Sequence, residues 1–309
     1  MNAFIDRLTG YAAEWTGFSR DAILPDAIRR TAEGLGDREE VLRRAARRDR
    51  SVVHALCQAV SVGETFFFRH PEHFRFIAST LLPDLLEQRG RVAVRAWSAG
   101  CATGEEAYSI AACLIDLLPL DVHAEVLGTD LLERNLAAAR AGTYGMWSRR
   151  PSAPVLHPVF HEISPERVSV DDRVRKVVRF AEHNLLEPAP GEFDLIFCRN
   201  VLVYFSPEAA RDAVQHLVRA LAPGGAICFG PMDLAEIPPQ LVPAGLPEQQ
   251  IFRRPGPSSA RKQPAAAPRV RATAPFAPLA RLPEPVALHL RALVHIERGE
   301  KKRAEAELA

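Results

Sequence analysis

In this 309-residue sequence, the residues able to do chemistry gather where short apolar runs end in glycine or an acid. Val92-Ala93-Val94-Arg95-Ala96-Trp97 reads as a strand and runs into Gly100-Cys101-Ala102-Thr103-Gly104, which opens a helix. Glycines there allow tight turning and close backbone approach to a ligand. Asp130 stands at the carboxyl end of the next strand, Glu125 to Thr129. An acid at that place can accept hydrogen bonds from both hydroxyls of a ribose. A plain strand-to-helix turn also favours glycine, so it is Asp130 that tips the pair towards a nucleoside site.

The loop lacks GxGxxG spacing, and two carboxylates, Glu105 and Glu106, sit where the helix begins. They would repel a dinucleotide's pyrophosphate. They suit a cationic ligand such as S-adenosylmethionine, which carries a sulfonium and an ammonium and no phosphate. Their simpler role is to complement the helix N-terminal dipole. His70-Pro71-Glu72-His73 has no third metal-ligand candidate and reads as the start of a surface helix. Cys101 and Cys198 read as small packing residues, and Phe66, Phe67 and Phe68 as a plug between domains.

The elements that must hold these groups follow from periodicity. Residues 1–89 give helical patterns and no convincing strand. Helices are expected near Arg38–Arg48, Ser51–Val62 and 71–88, the last with Phe74, Ile77, Leu81 and Leu85 at helical spacing. From residue 90 to 254 strands and helices alternate: the strand at 92–97, a helix at 105–118, the strand at 125–129, a helix at 131–141 closed by Gly142, a strand at 194–199, a helix opened by Ser206-Pro207, and a strand at 226–230. That alternation predicts an α/β fold, a parallel sheet with helices on both faces. Residues 147–182 break the rhythm and are read as an insertion, a small antiparallel element with β-like pieces near 167–170 and 174–180. Residues 255–285 are a Pro/Ala-rich linker, where many of the 25 prolines fall. Residues 286–309 form a helical tail.

Three stretches carry a family resemblance. Ser61-Val62-Gly63-Glu64-Thr65-Phe66-Phe67-Phe68-Arg69, the run from Trp97 to Ser109, and Phe197-Cys198-Arg199-Asn200-Val201-Leu202-Val203-Tyr204-Phe205 resemble the signatures of the CheR family. Gly128-Thr129-Asp130, Tyr144-Gly145 and His183-Asn184-Leu185-Leu186 add to it, and the likeness covers residues 1–254. These are the S-adenosylmethionine-dependent methyltransferases that esterify glutamates on chemotaxis receptors. The resemblance implies a Rossmann-like methyltransferase domain, a small N-terminal all-helical domain and an inserted β-subdomain. It implies that Thr65 and Arg69 reach over the cofactor, and that Glu106, with Glu105 as the alternative, holds the methionine end. It implies that Asp130 binds ribose, and that Asn184 and Leu185 flank adenine. Gly100, Asn200 and Val201 complete the cofactor pocket, and Arg69 and Tyr204 lie nearest the transferred methyl. Gly63 is a departure, since relatives often have asparagine there as a cofactor contact. The β-subdomain docks a receptor peptide in some members; the short connection near 169–173 argues against that here.

The expected product is S-adenosylhomocysteine and the expected acceptors are chemoreceptor methylation helices, which are acidic. Arg43, Arg44, Arg47 and Arg48 repel one another at i,i+4. They read either as a solvated face balanced by Glu39, Glu40 and Asp49 or, the favoured reading, as the receptor-binding face. The tail looks like one helix-turn-helix of a tetratricopeptide repeat, which needs about three copies or a protein partner to bury its apolar face.

Composition limits the alternatives. With 39 basic against 38 acidic residues, the chain is no bulk polyelectrolyte, and a nucleic-acid acceptor would want a basic groove that is not visible. No apolar run reaches the ~20 residues of a membrane span, and the start does not read as a signal peptide. Five cysteines with no CxxC pair fit a reducing cytoplasm. A monomeric cytoplasmic enzyme is expected; the alternative is a non-catalytic module that senses S-adenosylmethionine and scaffolds a signalling complex.

Overall fold

The computed structural model describes residues 2–61, 65–87, 92–149 and 159–256. Four helices come first: α1 (Asn2–Thr16), α2 (Pro25–Leu35), α3 (Arg38–Ala46) and α4 (Arg50–Val60). Asp37 and Asp49 cap α3 and α4, each accepting from two backbone N–H groups. These helices share one apolar cluster, including Leu8, Ile28, Val41, Val52 and Leu56.

The next helical stretch belongs elsewhere. α5 (Pro71–Phe76) continues through a π-helical turn at Ile77–Leu81 into α6 (Leu82–Leu86). Pro83 explains the widened turn, because it has no N–H for the carbonyl four residues back. The Leu82 N–H bonds to the carbonyl of Ile77, five residues back. Phe74, Ile77, Leu81 and Leu85 pack into the cluster formed with the sheet, so the expected helical unit of residues 1–89 is not packed as one.

The sheet follows: β1 (Ala93–Ala99), α7 (Glu105–Leu117), β2 (His123–Asp130), α8 (Glu133–Ala141), then β3 (Thr143–Gly145) and the short α9 (Met146–Arg149). β4 (Phe160–Ser164), β5 (Arg167–Val170), α10 (Asp172–Lys176), β6 (Val178–Glu182) and β7 (Phe193–Cys198) come next. α11 (Pro207–Ala220), β8 (Leu221–Phe229), β9 (Val242–Pro243) and β10 (Ile251–Arg253) complete the described residues.

The seven-stranded sheet has the order β6-β2-β1-β7-β8-β10-β9. The first five are parallel, and β10 and β9 are antiparallel additions at one edge. These two short strands extend the expected parallel sheet. Alternation along β8 sends Ala226 and Cys228 into the cluster that contains α7, and Ile227 and Phe229 into the one that contains α11, so helices cover both faces.

β3-β5-β4 form a separate antiparallel sheet. The expected insertion is corrected at both ends. Its first strand is Thr143–Gly145, and its expected last piece divides into α10 and β6, the outer parallel strand of the main sheet. Phe67 plugs onto this sheet, edge-on to Tyr144 at 5.0 Å and to Phe160 at 4.5 Å. The expected linker and tail lie almost wholly outside the described residues, as does Gly63. Among the described residues no helix is long and apolar enough to cross a membrane.

Candidate active site

β1 ends against a loop folded by three positive φ angles, at Gly100 (79°), Ala102 (46°) and Gly104 (97°). Gly100 and Cys101 both donate their N–H to the Thr129 carbonyl at 2.8 Å. Ala102 donates to Asp130 Oδ2 at 2.9 Å. The other Asp130 oxygen accepts from Leu132 N–H (2.9 Å) and Asn135 Nδ2 (3.0 Å). Asp130 therefore braces the glycine loop as well as facing the cleft. Burial pushes its carboxyl above the usual range, against the pull of these hydrogen bonds.

The cleft has about 900 Å³ including its open mouth. Of the residues named from the sequence, Thr65, Arg69, Gly100, Glu106, Asp130, Asn184, Leu185, Asn200, Val201 and Tyr204 line it. Glu105 does not, which corrects that alternative. Its oxygens accept from Thr103 Oγ1 at 2.7 Å and Ser148 Oγ at 2.9 Å, tying α7 to α9. Glu106 faces the cleft, with Ser98 Oγ donating to one oxygen and Arg199 Nε to the other, each at 2.7 Å.

Several ties that hold the lining residues gave no signal in the sequence. The α1–α2 link crosses the cleft: Ser19 N–H donates to the Tyr204 carbonyl and Ser206 N–H to the Gly17 carbonyl, both at 2.8 Å. The Phe18 ring lies 5.7 Å from that of Tyr204, so this link fixes Tyr204. Asn184 spends its amide on structure, donating to the Trp15 carbonyl at 2.7 Å and accepting from Leu186 N–H at 3.0 Å. Asp233 bonds the backbone of Asn200, Val201 and Val203. Only short periodic stretches are readable from sequence, and these are long-range pairings.

His73 is also not the surface residue expected. It is 2% exposed, and burial followed by the Arg199 charge holds its pKa down at about 3. Cys101 and Cys198 are buried, and burial pushes both thiols well up, consistent with packing roles.

Two buried polar atoms in the cleft wall, Asn200 Oδ1 and His183 Nε2, have no hydrogen-bond partner among the described residues. Buried polar groups are normally paired, so these await a ligand's groups. With an acid at each of two places, Asp130 and Glu106, they fit a ligand having a diol at one end and a cation at the other. Such a ligand needs Asp130 ionised. Because burial raises that carboxyl, affinity should be full above its raised pKa and fall with acidification from a higher pH than the ~3.9 of a free aspartate. Titration with S-adenosylhomocysteine from pH 8 to 4 measures this; a flat profile would count against Asp130 as the diol acceptor.

The loop leaves no room for a larger residue. A Cβ on Gly100 would lie 2.6 Å from Val201 Cγ2, at a φ that side chains rarely adopt. Overpacking of about 1–3 kcal/mol predicts that Gly100→Ala weakens cofactor binding about tenfold to a hundredfold. Calorimetric titration checks it, and unchanged affinity would mean the loop relaxes elsewhere.

The arginines expected at a receptor face do not line the cleft. Three have acid partners: Arg43 with Glu40 (2.7 Å), Arg44 with Asp49 (3.3 Å) and Arg48 with Glu14 (2.6 Å). The expected i,i+4 repulsion is thus offset within the helical cluster.

Comparison with known proteins gives the family. The family described as "CheR methyltransferase, SAM binding domain" matches residues 63–238. The chain is 35% identical over 240 residues to the probable biofilm formation methyltransferase WspC of Pseudomonas aeruginosa, covering 75% of this chain and 57% of that protein. It is 32% identical over 207 residues to chemotaxis protein methyltransferase 1 of the same species, covering 64% of this chain and 76% of that protein. To a probable chemotaxis protein methyltransferase of Rhizobium etli it is 36% identical over 175 residues, 54% of this chain and 65% of that one. The matched stretch thus spans little more than half the length of the first of these relatives. On this match and these identities, the chain belongs to the CheR methyltransferase family.

Proposed function

We propose that this chain transfers a methyl group from S-adenosylmethionine to glutamate carboxylates on the cytoplasmic methylation helices of chemoreceptor-like proteins. The observation that carries the reading is the convergence of Arg69 and Tyr204 with Asp130 and Glu106 on one cleft. S-adenosylmethionine supplies an electrophilic methyl on a positively charged sulfur. Glu106, Asp130 and Asn200 hold its ends. A glutamate side chain has a pKa near ~4.3, so at pH 7 the acceptor is already an anionic nucleophile and needs no general base. The remaining task is alignment and exclusion of water, for which Arg69, Tyr204 and the Phe18 link are placed at the cleft. The protein acts as a cytoplasmic monomer, and its C-terminal segment engages a protein partner. An array that governs biofilm formation is the second acceptor class, favoured by the 35% identity to WspC.

Incubation with methyl-labelled cofactor and candidate receptors tests the proposal. Label released as methanol in alkali is expected, because esters hydrolyse there. Cofactor binding without any transfer would favour the sensing module instead, and alkali-stable label another acceptor.

The arginines of α3 and its C-terminal turn bear on the acceptor. Arg43 and Arg48 stay well exposed despite their partners. If they meet an acidic helix, the Michaelis constant for receptor rises with salt over the range where screening shortens to about 10 Å at 0.1 M. A salt-independent constant would remove them from the acceptor surface.

A further inference from the structure

Arg199 and His73 are buried, carry chemistry and have been given no role in binding or catalysis. Arg199 follows β7, with a side chain only 2% exposed. Its Nε donates to Glu106 Oε2 at 2.7 Å, and its Nη1 donates to the backbone carbonyl of Arg69 and to His73 Nδ1, the latter at 3.2 Å. The guanidinium carbon lies 4.9 Å from the centre of the Phe197 ring. A guanidinium can only donate, so His73 Nδ1 accepts. His73 Nε2 is 2.6 Å from the Gln249 carbonyl oxygen, which can only accept, so Nε2 carries the proton. Only the neutral Nε2–H tautomer makes both bonds.

These contacts join places far apart in the chain. Glu106 lies in the first turn of α7, Arg69 just before α5, and Gln249 just before strand β10. Glu106, Arg69 and Arg199 itself line the cleft. A buried ion pair is weak evidence for stability, since apolar replacements of like volume are often as stable. Its position between two other cleft residues gives it another use.

We propose that Arg199 is a positioning residue of this site. It holds the Glu106 carboxylate and the main chain at Arg69 in one rigid frame, and His73 orients it by joining it to the Gln249 turn. The inference rests on the reading that the cleft takes S-adenosylmethionine. A guanidinium serves Glu106 and the Arg69 carbonyl at once through separate nitrogens of one plane. A lysine ammonium is a single point and cannot span both.

The test is titration of the full chain with S-adenosylhomocysteine, with a thermal melt of each variant. Arg199→Lys is expected to lose at least tenfold in affinity while still melting cooperatively. His73→Leu is expected to lose affinity in the same direction. His73→Gln, which can accept from Arg199 and donate to the Gln249 carbonyl, is expected to recover to within threefold of the parent. Parental affinity in Arg199→Lys overturns the proposal, as does equal loss in His73→Gln and His73→Leu. If the parent chain itself binds neither S-adenosylhomocysteine nor S-adenosylmethionine, the cofactor reading fails together with it. A parent that binds, with an Arg199→Lys variant that binds equally well, removes the frame alone.

Discussion

Replacing Asp233 by alanine is expected to lower cofactor affinity at least a thousandfold and to destabilise the fold by about 3–5 kcal/mol. Asp233 is 5% exposed, and its carboxylate collects four backbone N–H groups. Oδ2 accepts from Asn200 at 2.5 Å and Gly230 at 2.7 Å, and Oδ1 from Val201 at 3.0 Å and Val203 at 3.2 Å. Hydrogen bonds to an ionised acceptor are the strong kind. Orphaning even two buried donors costs about 1–3 kcal/mol each. The same carboxylate holds Asn200 at φ 58°, a left-handed backbone that costs a non-glycine residue about 1–3 kcal/mol unless its surroundings enforce it. Released from Asp233, that turn would relax and take Asn200, Val201 and Tyr204 out of register with the glycine loop. Gly230 shows how tight the fit is, because a Cβ there would lie 2.5 Å from Asp233 Oδ2. Asp233→Asn should fall between, since one amide oxygen still accepts while its NH2 faces N–H donors. Titration with S-adenosylhomocysteine and a thermal melt measure both effects. Affinity within threefold of the parent in Asp233→Ala would show that the turn holds itself.

Asp233 also shows where sequence reading stops. Legible segments are those whose pattern is local. The run β1, glycine loop, α7, β2 and α8 could be read because the strands are apolar, the loop is rich in glycine and Gly142 closes α8 at φ 60°. Ser206 could be read as a cap because it accepts from Ala209 N–H, with proline following it. β9 and β10 could not, being two and three residues long and so too short to alternate. β6 could not be told from the insertion because its partner, β2, lies far back in the chain. Glu105 and Glu106 are adjacent and chemically identical, and only the third dimension turns one to the cleft and the other to Thr103 and Ser148. Apart from the bond of Asp233 to Gly230, Asp233, His73 and the Phe18 link act through partners at least 30 residues away, and no spacing rule reaches that far.

Arg69→Ala is expected to slow methyl transfer about 10²–10³-fold, equivalent to roughly 3–4 kcal/mol of barrier, with little change in melting temperature. The backbone at Arg69 is held from its carbonyl by Arg199, so truncating the side chain leaves that anchor in place. The guanidinium lies 5.6 Å from the Phe66 ring centre, and Arg69 and Tyr204 both line the cleft. A fixed cation there acts in two opposed ways. It attracts the acceptor carboxylate, and it repels the positive charge of the cofactor's sulfonium end. Transfer from a sulfonium to a carboxylate annihilates both charges, so a tight Arg69–carboxylate pair would stabilise the ground state and slow the reaction. A useful Arg69 therefore works by direction, aligning groups with its planar fork. Alignment in well-oriented systems can supply about 7–11 kcal/mol in total, and losing a third of it matches the expected slowing. Arg69→Lys separates direction from charge, since it keeps the cation and loses the fork. If direction is what matters, lysine restores less than a tenth of the lost rate; if charge suffices, it restores most of it. Single-turnover measurements with labelled cofactor and receptor, alongside cofactor affinity, distinguish the two. Unchanged methylation in Arg69→Ala would remove this residue from the chemistry altogether.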